Sequence, residues 1–480
     1  MSETINQYIN MTWVYWALMI AYGVTILSVV LVVLSENRNP VKSLAWITVL
    51  LMLPALGLVL YFLFGRSIRN KRYVSRKNRR RLKKHEKAKA FDADSSGLSV
   101  ENAQQVRLGQ SLIGAPYYEG NSAVIFHNGK DKFDSLFCDL KKARKFIYLQ
   151  YYIFEDDKIG NQLADILVSK AKAGVKVKVI YDHLGNFKVK RSFYKRMREA
   201  GVEVYPFFKL TLLRPGARIN WRNHRKLCLI DGNVGYLGGM NVADRYIDGG
   251  KFDVWRDLHL RVTGPILRSF NHSFCYDWNF MGRPIPEDFA EVEVKPAGDI
   301  GMQFITSGPT AQWGNISLIF LKAIGNAKKS IYIQTPYFLP TEGLLRALQA
   351  AALSKIDVRV MIPRRSDSAM LSHASFSYIK DCLRSGIKVY LYEPGMLHGK
   401  FIIVDDDFVT VGSSNFDFRS FEHNFEANLF IYSKEFNARM TRVFMQDLTE
   451  STRVLPYDWD HRPRLDKMKQ SVMRLFSPIL

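Results

Sequence analysis

Cysteine is scarce in this chain of 480 residues, which contains only four. They stand far apart and form no C-x-x-C pair, so we expect reduced thiols rather than disulfides or metal ligands. These residues are Cys138, Cys228, Cys275 and Cys382. The sequence also lacks an EF-hand loop, an H-E-x-x-H helix and any close Cys/His cluster, and the stretch PGMLHGKF has neither the spacing nor the Ser/Thr of a Walker loop. We therefore expect a protein that uses no metal ion and no other cofactor.

Acidic residues are too few to balance the basic ones, since 45 Asp and Glu stand against 68 Lys and Arg, a net charge of +23. Such a surplus predicts an anionic partner, which can be nucleic acid, an acidic membrane surface or a phosphorylated substrate. At 480 residues the chain is also too long for one compact core, so we expect at least two domains.

Charge is absent altogether from two long stretches, residues 11–34 and 43–64. Each exceeds the ~20 residues that a helix needs to cross about 30 Å of hydrocarbon. Two transmembrane helices are therefore predicted, with a re-entrant hairpin as the alternative because the connection ENRNPVK is short.

A dense basic segment follows the second apolar stretch: residues 66–84 hold eleven Lys and Arg and no acid, against two in the connection between the stretches. Since the more basic flank of a span stays in the cytoplasm, we expect the rest of the chain to be cytoplasmic. Part of the segment, RKNRRRLKK, is compatible with nucleic acid, but its place beside a span favours anionic lipid headgroups. The predicted partner is thus an anionic membrane surface and not nucleic acid.

Beyond this segment the chain repeats itself. The stretch ARKFIYLQYYIF (143–154) matches AKKSIYIQTPYF (327–338), and each is followed by a helical pattern, a strand pattern and a second helix. Strands that alternate with helices predict an α/β fold, here in two tandem copies. We expect a two-helix transmembrane region (1–66), a basic juxtamembrane segment and linker (67–120, polar and partly disordered from residue 85), a first repeat (121–290), a second repeat (300–440) and a C-terminal segment (441–480).

The repeat contains one spaced motif twice, as HRKLCLIDGNVGYLGGMN (224–241) and HGKFIIVDDDFVTVGSSN (398–415). Because side chains two apart on a strand share a face, the pairs His224 with Lys226 and His398 with Lys400 can each point at one bound phosphoryl group. Asn241 and Asn415, which follow the next turn, add neutral donors that bind the substrate. The two copies predict two half-sites around one phosphate.

Two histidines suit phosphodiester transfer by covalent catalysis. One imidazole attacks phosphorus and forms a phosphohistidine, while the other protonates the leaving alcohol and later deprotonates the incoming one. The lysines and asparagines stabilise charge on the non-bridging oxygens, a task that a metal often performs elsewhere.

Four acidic residues accompany the motif. Asp231 and Asp405 complete the two copies and are candidates for a catalytic role, but they follow their histidines by an odd interval, so we favour a structural, turn-holding role. A catalytic histidine also needs an acid that orients it. We expect Glu426 to orient His398 and Asp257 to orient the other histidine, with a surface salt bridge as the alternative for each.

Two further segments are candidates for membrane contact. In YPFFKLTLLRPGARINWRN (205–223), Phe207, Phe208 and Leu212 are predicted to enter the bilayer beside the active site, with packing on the core as the alternative. In the C-terminal stretch, apolar residues recur at helical spacing between basic ones, which predicts a helix on the membrane surface or on the protein's own core. These are Leu465, Met468, Val472, Leu475 and Ile479.

The motif pairs HRKLCLID with GGMN and HGKFIIVD with GSSN resemble the two HKD motifs of the phospholipase D superfamily. The segments ENRNPVKSLAW, LPALGLVLYFLFGR, TPYFLP and RLFSPIL are similar to those of bacterial cardiolipin synthases, so the resemblance covers almost the whole chain. One departure is GGMN, which leaves residue 239 without the hydroxyl of the commoner GS-N form.

The resemblance implies a fold of two phospholipase D-like α/β repeats that form one central active site, preceded by two transmembrane helices in the bacterial cell membrane. It implies phosphatidyl transfer between two molecules of phosphatidylglycerol, which yields cardiolipin and glycerol, with His224 as nucleophile and His398 as general acid and base. The symmetry of the motifs makes that assignment reversible. Alternatives are a hydrolytic phospholipase or nuclease of the same superfamily and a noncatalytic membrane adaptor, and the oligomeric state stays open.

Overall fold

The computed structural model describes residues 2–35, 40–61, 65, 74–88, 97–209, 220–286 and 294–477. The chain divides into two compact units, one formed by Met1–Ser67 with Leu210–Asn220 and the other by Ile68–Lys209 with Trp221–Leu480. The smaller unit contains the apolar N-terminal helices, and the larger one contains the repeats.

The N-terminal unit contains helices α1 (Ser2–Ser35), α2 (Pro40–Met52) and α3 (Pro54–Leu60). Within α1, Thr12–Leu31 is long and apolar enough to cross a membrane, whereas the apolar part of α2 is shorter. Proline at the start of α3 separates the two short helices, because proline lacks the N–H that a continuing helix would need. One of the two predicted spans is therefore present as a single long helix among the described residues, and the second is divided at Leu53.

The larger unit alternates strands and helices. Its helices are α4 (Arg76–Ala88), α5 (Val100–Ile113), α6 (Gly129–Lys142), α7 (Lys158–Lys172), α8 (Arg191–Glu199), α9 (Arg245–Asp248), α10 (Leu267–Phe280), α11 (Asn315–Asn326), α12 (Glu342–Leu353), α13 (Ala369–Ser377), α14 (Ile379–Arg384), α15 (Phe418–Glu422), α16 (Lys434–Thr449), α17 (Pro456–Asp460) and α18 (Arg464–Leu475). Its strands are β1 (Tyr117–Phe126), β2 (Phe146–Tyr151), β3 (Lys176–Asp182), β4 (Glu203–Phe207), β5 (Arg222–Asn223), β6 (Leu227–Ile230), β7 (Val234–Gly238), β8 (Trp255–Arg256), β9 (His259–Thr263), β10 (Ile300–Ser307), β11 (Ser330–Gln334), β12 (Phe338–Leu339), β13 (Asp357–Pro363), β14 (Lys388–Tyr392), β15 (Met396–Leu397), β16 (Phe401–Val404), β17 (Phe408–Gly412), β18 (Phe416–Asp417), β19 (Asn424–Tyr432) and β20 (Ser451–Arg453).

One large mixed sheet joins the two repeats. From its centre outward, one half runs β1-β9-β7-β6-β2-β3-β4 and the other runs β10-β19-β17-β16-β11-β13-β14, with β20 at the outer edge. The halves meet where β1 pairs antiparallel with β10. Equivalent strands thus occupy equivalent places, which confirms the predicted duplication of an α/β unit.

Helices cover both faces of the sheet, so its strands are buried runs of apolar residues. In β2, FIYLQY, every residue is buried. Ile147 and Leu149 belong to the core on the side of α7, while Tyr148 points to the opposite side and stacks on Phe274 of α10, with ring centroids 4.5 Å apart. This packing makes the sheet a rigid support for the motifs at its strand ends.

The predicted linker was wrong over much of its length. Residues 100–113 form α5, in which Gln105 and Val106 are buried, and β1 begins at Tyr117 rather than after residue 120. The Gln303 side chain donates to the backbone carbonyls of Val106 and Ala115, each at 3.0 Å, and so fastens α5 to the sheet. Residues 89–96 lie outside the described part of the chain.

The two predicted membrane-contact segments differ in outcome. Phe207 and Phe208 are buried and pack on Phe280 and Phe425, so the prediction that they enter the bilayer was wrong, whereas Leu212 lies outside the described residues. The C-terminal apolar positions do form a helix, α18, and four of them are exposed there, while Ile479 lies outside the described residues. These four are Leu465, Met468, Val472 and Leu475.

Candidate active site

Short strands from opposite repeats bring the two motifs together. Strand β5, just before His224, pairs in parallel with β19 of the second repeat, and β15, just before His398, pairs in parallel with β8 of the first. Each motif is therefore held by the other half of the molecule. Both histidines line one cavity of about 590 Å³, a volume typical of ligand sites.

A carboxylate holds each histidine, but the pairing is the reverse of the predicted one. The Nδ1 atom of His224 lies 2.9 and 3.1 Å from the two carboxylate oxygens of Glu426, and Nδ1 of His398 lies 2.6 Å from Oδ2 of Asp257. We had expected Glu426 beside His398 and Asp257 beside His224. The acids are exchanged because β19 carries Glu426 to the first motif, whereas Asp257 directly follows β8 beside the second.

Burial sets the protonation of these groups. It lowers the pKa of His224 to about 4, although the Glu426 carboxylate raises it. Burial and the Lys400 charge also lower the pKa of His398, against the effect of Asp257. Burial raises the pKa of Glu426, but the His224 ring and the lysine at position 226 outweigh it and hold that pKa below its ordinary value. At neutral pH each ring is thus neutral. The carboxylate beside each Nδ1 favours the tautomer with its hydrogen on Nδ1 and a lone pair on Nε2, and Nζ of Lys400 also lies 2.9 Å from Nδ1 of His398.

The two motif lysines are buried beside their histidines. Nζ of Lys226 donates to the backbone carbonyl of His224 at 2.6 Å, and Nζ of Lys400 donates to that of His398 at 2.5 Å. Burial lowers the pKa of both ammonium groups. An anion in the cavity raises the pKa of both ammonium groups and so favours their charged forms. Phosphate binding requires this positive charge.

Both motif asparagines line the cavity. The Asn241 amide donates to the Tyr246 hydroxyl at 2.6 Å, and the Asn415 amide donates to Oδ2 of Asp417 at 2.9 Å. An amide nitrogen has two hydrogens, so each side chain retains one that can be donated to a ligand.

The motif aspartates lie away from the cavity and hold turns. Asp231 accepts hydrogen bonds from the backbone N–H groups of residues 144–146, at 2.7 to 2.8 Å. Asp405 accepts equivalent bonds from residues 328–330, at 2.7 to 3.0 Å. Both have positive φ, 52° and 51°, at the tight turn after the motif strand. These contacts give Asp231 and Asp405 the turn-holding role and not a catalytic one.

The residue that replaces the commoner motif serine has a physical explanation. In the second motif, Ser413 donates to Oε2 of Glu426 at 2.5 Å. The matching position in the first motif is Gly239, where a Cβ atom would lie only 2.1 Å from Oδ1 of Asp257. Asp257 therefore occupies the space that a side chain at position 239 would need.

The sequence analysis did not identify two arginines of the cavity, although the repeated motif indicates both of them. The motif continues for four residues past each asparagine and ends on arginine both times, so that Asn241 is followed by Arg245 and Asn415 by Arg419. Both line the cavity, as does Arg222, whose counterpart in the second motif is Met396 and not an arginine.

Among the described residues, no group of three or more His, Cys, Asp or Glu side chains is arranged to hold a metal ion. The four cysteines are free, and three of them are buried.

A duplicated α/β sheet whose halves each bring a histidine and an asparagine to one shared cavity, with a lysine buried beside each histidine, defines a phospholipase D-type fold and site. The family model "Cardiolipin synthase, PLD-like domain" matches residues 136–262 and 320–448, and "Phospholipase D-nuclease N-terminal" matches residues 23–66. The chain is 41% identical to the major cardiolipin synthase ClsA of Bacillus subtilis over 95% of this chain and 97% of the relative. It is 40% identical to the cardiolipin synthase of Oceanobacillus iheyensis over 94% and 96% of the two chains.

Among solved structures, the phosphatidylserine synthase of Haemophilus influenzae shares the fold, with a TM-score of 0.62 and 14% identity over 78% of this chain and 100% of that one. The chain belongs to the bacterial cardiolipin synthase family of the phospholipase D superfamily, and it is a phosphatidyltransferase enzyme.

Proposed function

We propose that this enzyme transfers a phosphatidyl group from one phosphatidylglycerol to a hydroxyl of a second, forming cardiolipin and glycerol through a phosphatidyl-histidine. The observation that carries this proposal is the pair of histidines from opposite repeats, His224 and His398, which line one cavity and are each held at Nδ1 by a carboxylate. Such a pair supplies one nucleophile and one proton carrier to the same phosphorus atom.

In the first step, Nε2 of His224 bonds to phosphorus and the bond from phosphorus to the glycerol oxygen breaks. His398 gives its proton to that oxygen, so glycerol leaves as a neutral alcohol. In the second step, a hydroxyl of another phosphatidylglycerol returns a proton to His398 and bonds to phosphorus, and the bond to His224 breaks. The anionic phosphodiester raises the pKa of His398, against the effect of burial, and so favours the protonated ring that the first step requires.

The remaining motif residues stabilise charge on phosphorus oxygens. Lys226 and Lys400 supply positive charge from within the protein, and Asn241 and Asn415 supply neutral donors from the cavity wall. Together they provide the electrostatic stabilisation that a metal ion often gives to phosphoryl transfer, so we propose that no metal takes part.

We further propose that the enzyme spans the bacterial membrane twice, with its catalytic unit in the cytoplasm. The second apolar stretch and the basic flank at residues 66–84 support this arrangement. On α18, Leu465 and Leu475 are exposed while Lys467 and Lys469 lie between them, a pattern that suits the surface of an anionic membrane. A lipid substrate then reaches the site from the surface on which the enzyme rests.

Mass spectrometry of the products tests the reaction. The purified protein is incubated with phosphatidylglycerol in mixed micelles that contain EDTA, beside a His224→Ala variant. We expect cardiolipin and glycerol from the unaltered protein alone. Phosphatidic acid as the sole product would make the enzyme a hydrolase, and activity abolished by EDTA would contradict the metal-free mechanism.

A further inference from the structure

One wall of the active-site cavity carries two arginines that the transfer mechanism does not use. Arg222 is 3% exposed and lies on β5, two positions before His224. Side chains two apart on an extended strand share a face and are separated by about 7 Å. Arg419 comes from α15, and both arginines line the cavity together with Asn424, the residue that pairs with Arg222 across β5 and β19.

Arg222 and Arg419 line the same cavity, and the charge of one influences the other. Burial and the Arg419 charge lower the pKa of Arg222, although the Asp182 carboxylate raises it. Both guanidinium groups are positively charged and line the same cavity, where their charges together attract an anion. The arrangement therefore suits an anionic group placed between the two side chains.

The pseudo-equivalent wall at the other end of the cavity has a different chemistry. There the counterpart of Arg222 is Met396, which is fully buried. The counterpart of Arg419 is Arg245, which forms an ion pair with Glu155 at 2.8 Å and lies over the ring of Trp255 at 5.9 Å. The two arginines thus mark one end of a site that is otherwise nearly symmetric.

The proposed reaction needs a second anion site in the same cavity. The two histidines act on one phosphodiester, but the accepting phosphatidylglycerol carries a phosphodiester of its own, and cardiolipin contains two that are joined by a single glycerol. The planar, multiply donating guanidinium group is well suited to bind a phosphate through paired hydrogen bonds.

We propose that Arg222 and Arg419 bind the phosphodiester of the second phosphatidylglycerol, and hence the second phosphate of cardiolipin. This inference rests on the proposed function. It makes the arginine pair the feature that selects a phospholipid acceptor over a simple alcohol, because an alcohol without phosphate has nothing to place between the two side chains.

Two reactions of one protein preparation test the proposal. The first is cardiolipin synthesis from phosphatidylglycerol, and the second is exchange of labelled glycerol into phosphatidylglycerol, in which the acceptor carries no phosphate. Arg419→Gln should lower cardiolipin synthesis on the order of 10- to 100-fold more than it lowers glycerol exchange, since hydrogen bonds with charged partners are lost only in the first reaction. Arg222→Gln should show the same selectivity.

The reverse reaction and a control variant sharpen the result. The kcat/KM for glycerolysis of cardiolipin should fall by the same factor as that for its synthesis, because a variant cannot alter the equilibrium constant of the reaction. Arg346→Gln, a change on the exposed surface of α12, should affect none of the reactions. Equal losses of synthesis and exchange in both cavity variants would overturn the arginine proposal and leave the proposed function intact. An unaltered protein that exchanges glycerol without forming cardiolipin would overturn the proposed function and this inference with it.

Discussion

Glu426→Gln should impair the histidine of the first motif and not that of the second. The Glu426 side chain is fully buried and accepts hydrogen bonds from Nδ1 of His224 at 2.9 Å and from Ser413 at 2.5 Å. Glutamine preserves the shape of this side chain, and the serine hydroxyl can rotate to accept from the new amide. The substitution therefore removes mainly the negative charge that stabilises the His224 ring as it bonds to phosphorus.

The size of the effect follows from that lost charge. Hydrogen bonds with a charged partner contribute about 1.5–3 kcal/mol and neutral ones about 0.5–1.5 kcal/mol, a difference of about 1–1.5 kcal/mol. Such a difference in the transition state slows the first step by roughly 5- to 13-fold. Asp257→Asn should have a comparable effect on natural substrate, but through His398, whose Nδ1 it contacts at 2.6 Å.

A substrate with an activated leaving group separates the two histidines. The nitrophenolate released from phosphatidyl-p-nitrophenol needs no protonation, so its rapid release measures the attack by the nucleophile alone. We expect Asp257→Asn to regain a near-normal burst of nitrophenolate with this substrate, while Glu426→Gln stays slow. The natural substrate, assayed by release of labelled glycerol, serves as the control in which both variants are slow.

The opposite pattern would refute the reasoning. If Glu426→Gln were rescued by the activated leaving group and Asp257→Asn were not, His398 would be the nucleophile and His224 the proton carrier. Equal rescue of both variants would mean that neither carboxylate acts through a particular histidine.

Three further predictions concern pH, stability and the membrane. With the activated substrate, kcat/KM should fall only as the pH drops through about 4. Burial lowers the pKa of His224 to that value, and protonation of the ring removes its lone pair. A decline of kcat/KM near the ordinary histidine pKa of about 6.5 would contradict this prediction. Asp405→Ala should lower Tm and leave kcat unchanged. The substitution removes three hydrogen bonds to backbone N–H groups at a turn with positive φ, which costs about 1–3 kcal/mol of stability. A loss of kcat at unchanged Tm would contradict the structural role. Replacing Leu465 and Leu475 with serine should reduce activity on phosphatidylglycerol vesicles but not on a soluble short-chain analogue, whereas serine at the exposed Leu353 should change neither; equal losses on both substrates would count against membrane contact through α18.

The two copies of the motif could be found in the sequence because their pattern is local. In each copy the histidine and the lysine are two positions apart, and the structure buries the lysine beside its histidine, with Nζ on the backbone carbonyl of that histidine. The odd interval to Asp231 and Asp405 likewise indicated another face, and the structure places both in turns. The duplication itself was visible because equivalent strands of the two halves keep similar apolar patterns.

Local pattern misled where burial depends on distant partners. Phe207 and Phe208 stand among basic residues, which suggested a membrane-facing segment, yet Phe280 and Phe425 cover them from other parts of the chain. The polar composition before β1 suggested a linker, but the side chain of Gln303, almost two hundred residues away, anchors the helix there through hydrogen bonds to the backbone.

The sequence by itself determined which side chains form the motif and that the motif occurs twice, because both facts follow from spacing along the chain. Only the tertiary structure decided which acid serves which histidine. Glu426 reaches His224 because β5 pairs with β19, and Asp257 reaches His398 because β15 pairs with β8. Strand pairing between distant segments is set by the packing of the whole sheet, so no interval within either motif could have specified it.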